Sequence, residues 1–88
     1  MLIFIRNNER TTVVSLVAFS RIFESENGKI VFLGRQATEN IVLDIGRSSE
    51  LVLTDLRTAI EEEREAVLID IKDDDTVLVE ILETAIEL

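Results

Sequence analysis

Four aspartates fall within six positions, Asp70, Asp73, Asp74 and Asp75 of "DIKDDDTVLVEI", a dense group of side chains able to act as ligands or in acid–base chemistry. A calcium loop places oxygen ligands at alternate positions, a Gly at the sixth and a bidentate Glu at the twelfth. Counted from Asp70, the sixth residue is Asp75 and the twelfth is Ile81, so that pattern fails. Three adjacent carboxylates attract Mg²⁺ or Ca²⁺ as any acidic surface does, and no specific metal site is expected. The second dense run, Glu61, Glu62 and Glu63, reads as a solvated helix end. Together with Asp73, Asp74 and Asp75 it makes a candidate acidic surface.

The other reagents of protein chemistry are scarce. The chain has no His and no Cys, which removes the commonest general base, the thiolate nucleophile and the usual transition-metal ligands. Tyr and Trp are absent too, and Lys occurs only at Lys29 and Lys72. Gly28, Gly34 and Gly46 are too scattered for a phosphate-cradling loop. Carboxylate pairs can in principle do acid–base work. A chain of 88 residues, however, leaves little room for a pocket of several hundred Å³. No catalytic residue, cofactor or enzymatic activity is expected.

Charge narrows the partners. The net charge is −9, and it is unevenly spread. Residues 1–35 carry five basic and three acidic side chains, residues 36–88 four basic and fifteen acidic, so the halves stand at +2 and −11. An acidic second half disfavours direct nucleic-acid binding and anionic membranes. It would attract a basic protein. The N-terminal "MLIFIRNNER" is apolar for only five residues, short of a signal-peptide core or a membrane span, so a soluble cytoplasmic protein is expected.

The elements that must position these groups begin with strands. "LIFI" at 2–5 is a short apolar run ending at Asn7 and Asn8, both suited to a turn. "TTVVSLVAFSRIFES" at 11–25 is rich in β-branched and aromatic residues and reads as one long strand. Asn27-Gly28 then signals a hairpin with a two-residue loop. That loop would set Glu26 opposite Lys29, Glu24 opposite Val31 and Phe23 opposite Phe32. Phe19, Phe23 and Phe32 are expected in the core rather than on a base-stacking platform, which needs a basic groove.

The second half resembles itself at an offset of 26. Residues 41–62 lie over 67–88, with Thr58-Ala59-Ile60-Glu61 repeated as Thr84-Ala85-Ile86-Glu87 and Asp44-Ile45 as Asp70-Ile71. Each copy reads as a strand, a polar turn and a helix. In the first copy, Ser48 and Ser49 would cap a helix whose inner face is Val52, Leu53, Leu56, Ala59 and Ile60. In the second, the Asp cluster would cap a helix with Leu78, Ile81, Leu82, Ala85 and Ile86 on one stripe. The competing reading is a hairpin, because Val67, Ile69, Ile71 and Val77, Val79, Ile81 each alternate with period two. The helix accounts for more residues. The expected fold class is α+β, one domain over 1–88: antiparallel strands through residue 35, led by the Asn27-Gly28 hairpin, then strand–helix–strand–helix.

"LIFIRNNERTTVVSLVAFSRI", "NGKIVFLG" and "SSELVLTDLRTAI" together resemble small uncharacterised proteins of Gram-positive bacteria and their phages. The likeness covers about residues 2–60 and rests on apolar spacing. It implies a pleckstrin-homology-like sheet capped by a helix, and it brings no catalytic residue and no activity. The second strand–helix unit departs from that scheme.

Two functions remain in view. One is a non-catalytic protein-interaction module that self-associates, most simply as a homodimer. Its candidate interface is the surplus apolar strip Val77, Leu78, Val79, Ile81, Leu82, Ile86 and Leu88. The other is a phage-type acidic inhibitor that mimics nucleic acid in the groove of a host defence nuclease, acting through the acidic surface above.

Overall fold

A computed structural model describes residues 1–73 and 76–82, and of Ala37 and Arg47 the backbone alone. Strands β1 (Leu2–Asn7) and β2 (Arg10–Ser15) form an antiparallel hairpin in which Asn7 faces Arg10. Asn8, first of the two loop residues, sits at φ 59°, a conformation its short polar side chain tolerates.

The long strand expected over 11–25 is broken. Leu16–Ala18 form a 3-10 turn, and β3 (Phe19–Glu24) then enters a different sheet. Length gives the reason. Fifteen extended residues would run about 50 Å, whereas the molecule's longest dimension is 33 Å. The corner lets one stretch of sequence serve both sheets.

β3 pairs antiparallel with β4 (Ile30–Gly34), and β4 with β5 (Ile41–Leu43). The hairpin at Asn27-Gly28 is present, but its register differs by one from the two-residue expectation: Glu24 faces Ile30, Phe23 faces Val31 and Ile22 faces Phe32. Ser25 N donates to Lys29 O at 2.8 Å and Gly28 N to Ser25 O at 2.9 Å. The loop is therefore Glu26-Asn27-Gly28, a turn closed by a glycine at φ 76°. A one-residue slip exchanges the faces of the paired strand. Phe32 is consequently buried with Ile30 on the core face, and it meets Phe19 edge-on at 5.3 Å instead of Phe23.

Helix α1 (Ser49–Glu61) follows, and its inner face is largely the expected one. Val52, Leu56 and Ala59 are buried, Leu53 is half-buried, and Ile60 is 41% exposed, so Ile60 belongs to the surface. The serines do not cap as expected. Ser48 makes no side-chain capping bond, and Ser49 turns inward, its hydroxyl within reach of Gly28 O (2.5 Å) and Gly46 O (3.0 Å). Ser49 thus ties the start of α1 to the β3–β4 turn. The helix ends with Glu63 N donating to Ile60 O and Arg64 N to Ala59 O. This is the Schellman arrangement, with Glu63 at φ 55° where glycine is usual.

The second helix is overturned over residues 76–82. Residues Ala66–Asp73 form β6 and Thr76–Leu82 form β7, an antiparallel hairpin with Val67 opposite Ile81 and Asp70 opposite Leu78. The hairpin alternative was the better reading for two reasons. Thr76, Val77, Val79 and Ile81 are β-branched, which disfavours helix and favours a pleated surface. In addition, β6 lies between two neighbours, so its β7-facing backbone groups need a partner. Asp73, at the end of β6 opposite Thr76, therefore caps no helix. Residues Glu83–Leu88, with Ile86 and Leu88, lie outside the described residues, as do Asp74 and Asp75.

The described elements make an α+β fold of two sheets and one helix. One sheet runs β2-β1-β6-β7, with β1 and β6 parallel, and the other runs β3-β4-β5. Strands β5 and β6, the first strands of the two repeated units, lie in different sheets. Between the layers, Ile3, Ile5, Ile30, Phe32, Val52, Leu56, Val67 and Ile69 form the main core. The other face of the four-stranded sheet carries a smaller cluster of Phe4, Ala66, Leu68 and Leu82, with Leu2 beside it.

Two substitutions test this frame. Ser49→Ala removes the side-chain donor to Gly28 O, while Gly46 O keeps the Ser49 amide, and we expect a loss of about 1–2 kcal/mol in urea unfolding. Glu63→Gly relieves a left-handed residue and is expected to raise stability by roughly 0.5–1 kcal/mol, seen as a higher thermal midpoint.

Candidate functional site

β7 closes one end of its sheet, and among the described residues no strand pairs with its outer side. The direction of its free backbone groups follows from a single contact. Leu2 N donates to Glu65 O at 2.9 Å, and Leu2 stands opposite Ala66 in the parallel pair. In a parallel ladder one residue bonds to the two flanking its partner, so the odd-numbered residues of β6 turn their backbone toward β1. The even-numbered ones, Ala66, Leu68 and Asp70, turn theirs toward Leu82, Glu80 and Leu78. The amides and carbonyls of Val77, Val79 and Ile81 consequently point off the sheet's edge.

The side chains of β7 divide by face. Val77 is buried at 5% exposure and Val79 half-buried, both against the main core. Leu82 is buried on the opposite face with Phe4 and Leu68. The side chains of Val77 and Leu82 therefore belong to the core, which corrects the helical strip that put them on a surface. Leu78, at 53% exposure, and Ile81, at 38%, remain available on the surface. Glu80 is the one charged residue in Thr76–Leu82. Edge strands of soluble proteins are ordinarily blunted by Lys, Pro or bulges, and this one carries little of that protection.

The acidic groups lie on β6 and at the end of α1, with Asp73 exposed at the end of β6. Asp70 is buried on the central strand β6, where its Oδ2 lies 3.0 Å from Lys72 Nζ and 3.5 Å from Arg6 Nη1. Two cations on a carboxylate in the middle of a sheet make a structural ion cluster. Glu61, Glu62 and Glu63 are exposed at the end of α1, and Glu62 accepts from Arg64 Nε at 3.0 Å. Among the described residues no group of three or more Asp or Glu is placed to hold a metal ion, and no helix is long and apolar enough to cross a membrane.

Two surface features were missed in the sequence. The outer face of the three-stranded sheet carries a row of Phe23, Val31 and Val42, with the Arg21 guanidinium 4.6 Å over the Phe23 ring. Only the observed hairpin register brings Phe23 and Val31 together. The second feature is an open groove of about 520 Å³ between β3 and α1, lined by Ile22, Phe23, Leu53, Leu56 and Ile60 with Glu24, Arg57 and Glu61. The chain thus has more concave surface than its length suggests, and what this groove presents is mainly hydrocarbon and charge.

Comparison with known proteins finds no matching family model, no matching curated protein and no matching solved structure.

The division of β7 into core and surface side chains has a direct test. Leu82→Ala should cost about 2–4 kcal/mol in chemical denaturation, as deletion of a buried leucine does. Leu78→Lys should change stability by less than about 0.5 kcal/mol, as expected of a surface position.

Proposed function

We propose that this chain is a non-catalytic protein-interaction module that self-associates through β7. The observation that carries the reading is the seven-residue edge strand Thr76–Leu82, with Leu78 and Ile81 exposed beside a row of outward-pointing backbone groups. Unpaired strand edges are templates for another strand, and an apolar one adds burial to the hydrogen bonds. A chain this small also gains from association, since its own core is limited. The lack of His and Cys is in keeping with a role by contact.

A second reading, an acidic surface that occupies the nucleic-acid groove of a basic partner, draws on the exposed Glu61, Glu62 and Glu63. The two separate cleanly by charge reversal. Glu61→Lys with Glu62→Lys reverses two carboxylates of the mimic surface, should weaken binding to a basic partner, and leaves β7 untouched.

Light scattering decides the first reading. The wild-type chain is 10.0 kDa, and a self-associating module should give at least about 20 kDa in solution. Leu78→Glu with Ile81→Glu should return the mass to that of one chain without loss of the folded circular dichroism spectrum. A wild-type protein that stays at one chain's mass across micromolar concentrations rules the reading out.

A further inference from the structure

We infer that the partner of β7 is the β7 strand of a second copy, aligned antiparallel about a two-fold axis with Val79 opposite Val79 of that copy. The inference rests on the self-association proposed above and adds its geometry.

Among the described residues no strand occupies the outer side of β7. Val77, Val79 and Ile81 carry the outward amides and carbonyls, so these three must meet the same three of the second copy. With Val79 at the centre, Val77 pairs with Ile81, Val79 with itself and Ile81 with Val77. All seven residues of Thr76–Leu82 then overlap. Each of those pairs is of the kind that exchanges both backbone hydrogen bonds.

Other centres do worse. A pairing centred on Glu80 sets two carboxylates of a −9 chain directly opposite each other. A pairing centred on Leu78 overlaps only residues 76–80 and gives partners to two of the three outward-facing residues. Centred on Val79, Glu80 falls opposite Leu78 and no like charges meet. Odd registers would join the core face of one sheet to the outer face of the other. The Val79 register keeps both cores on one side and makes a continuous sheet in the order β2-β1-β6-β7 and back. Self-complementarity of this kind is what an isologous dimer requires.

Because the chain has no cysteine, single substitutions report the register without background. In a hydrogen-bonded antiparallel pair the Cα atoms stand about 5.5 Å apart, within disulfide range. Under mild oxidation Val79→Cys should convert most of the protein to a covalent dimer on a non-reducing gel, while Leu78→Cys should not. Mixing Leu78→Cys with Glu80→Cys should give a crossed dimer, since those positions face one another. Val79→Pro provides a readout that does not rely on cysteine: its amide points off the edge, so the monomer should stay folded while the dimer is lost. Reduced Val79→Cys must keep the dimer mass, which shows that the substitution itself is tolerated.

The failures are distinguishable. A wild-type protein of one chain's mass overturns both the self-association and this geometry. A wild-type dimer in which Leu78→Cys cross-links and Val79→Cys does not overturns the Val79 register alone. A dimer that survives Val79→Pro shows that the interface lies away from the β7 edge.

Discussion

The structure depends on one pairing made across most of the chain: β1 beside β6, parallel, with Leu2 opposite Ala66 and Asn7 opposite Ile71. Parallel neighbours cannot be joined by a tight turn, so everything between them is a crossover. Here that crossover contains a hairpin partner, a corner, a second sheet and the helix. Closing it costs loop entropy that local contacts do not repay. The return is burial, because Ala66–Ile71 is covered on both faces and Val67 and Ile69 reach the centre of the core. The same pairing orients the backbone of β6, which in turn fixes the groups β7 uses inward and the groups it turns outward.

A charged residue sits in this central strand, and its surroundings explain why it is tolerated. Asp70 occupies the face opposite the main core, in a row with Arg6 on β1 and Leu78 on β7. Its oxygens are not left in hydrocarbon, since Lys72 from the same strand and Arg6 from the next reach it. Both cations stay partly in water, which limits the desolvation that a fully enclosed ion pair would suffer. The sheet's outer face is accordingly split lengthwise, with Phe4, Leu68 and Leu82 at one end and the ion cluster at the other.

How much of this was legible depends on whether the deciding interaction is local. The strand at 2–5, the turn at Asn27-Gly28 and the helix from Ser49 are written in short-range chemistry, and the structure contains all three. The Asn-Gly pair marks the turn but not its length, because Gly28 serves equally well as the last of three loop residues. The corner at Leu16–Ala18 carries no Gly or Pro and follows from the size of the molecule, which no window of sequence contains. Residues 76–82 are the instructive failure. Leu78, Ile81 and Leu82 fit a helical stripe, while Val77, Val79 and Ile81 fit a strand, so periodicity leaves both open. What decides is the vacant side of β6, created by a pairing with β1 some sixty positions earlier. The orientation of the side chains followed the same error: once the segment is a strand, Val77 and Leu82 turn inward, leaving Leu78 and Ile81 on the surface.

The alignment of Leu2, Ala66 and Leu82 in one row has a mechanical consequence. A force that draws Leu2 and Leu82 apart acts across the strands, along the hydrogen bonds rather than against all of them together. Such a load opens the ladder one rung at a time, as a zipper, where a shearing load would have to break many rungs at once. Traction on the chain beyond Leu82 would peel β7 from β6 first and uncover the flank of the hydrophobic centre. A motor that unravels proteins by pulling from that side would meet a soft first step.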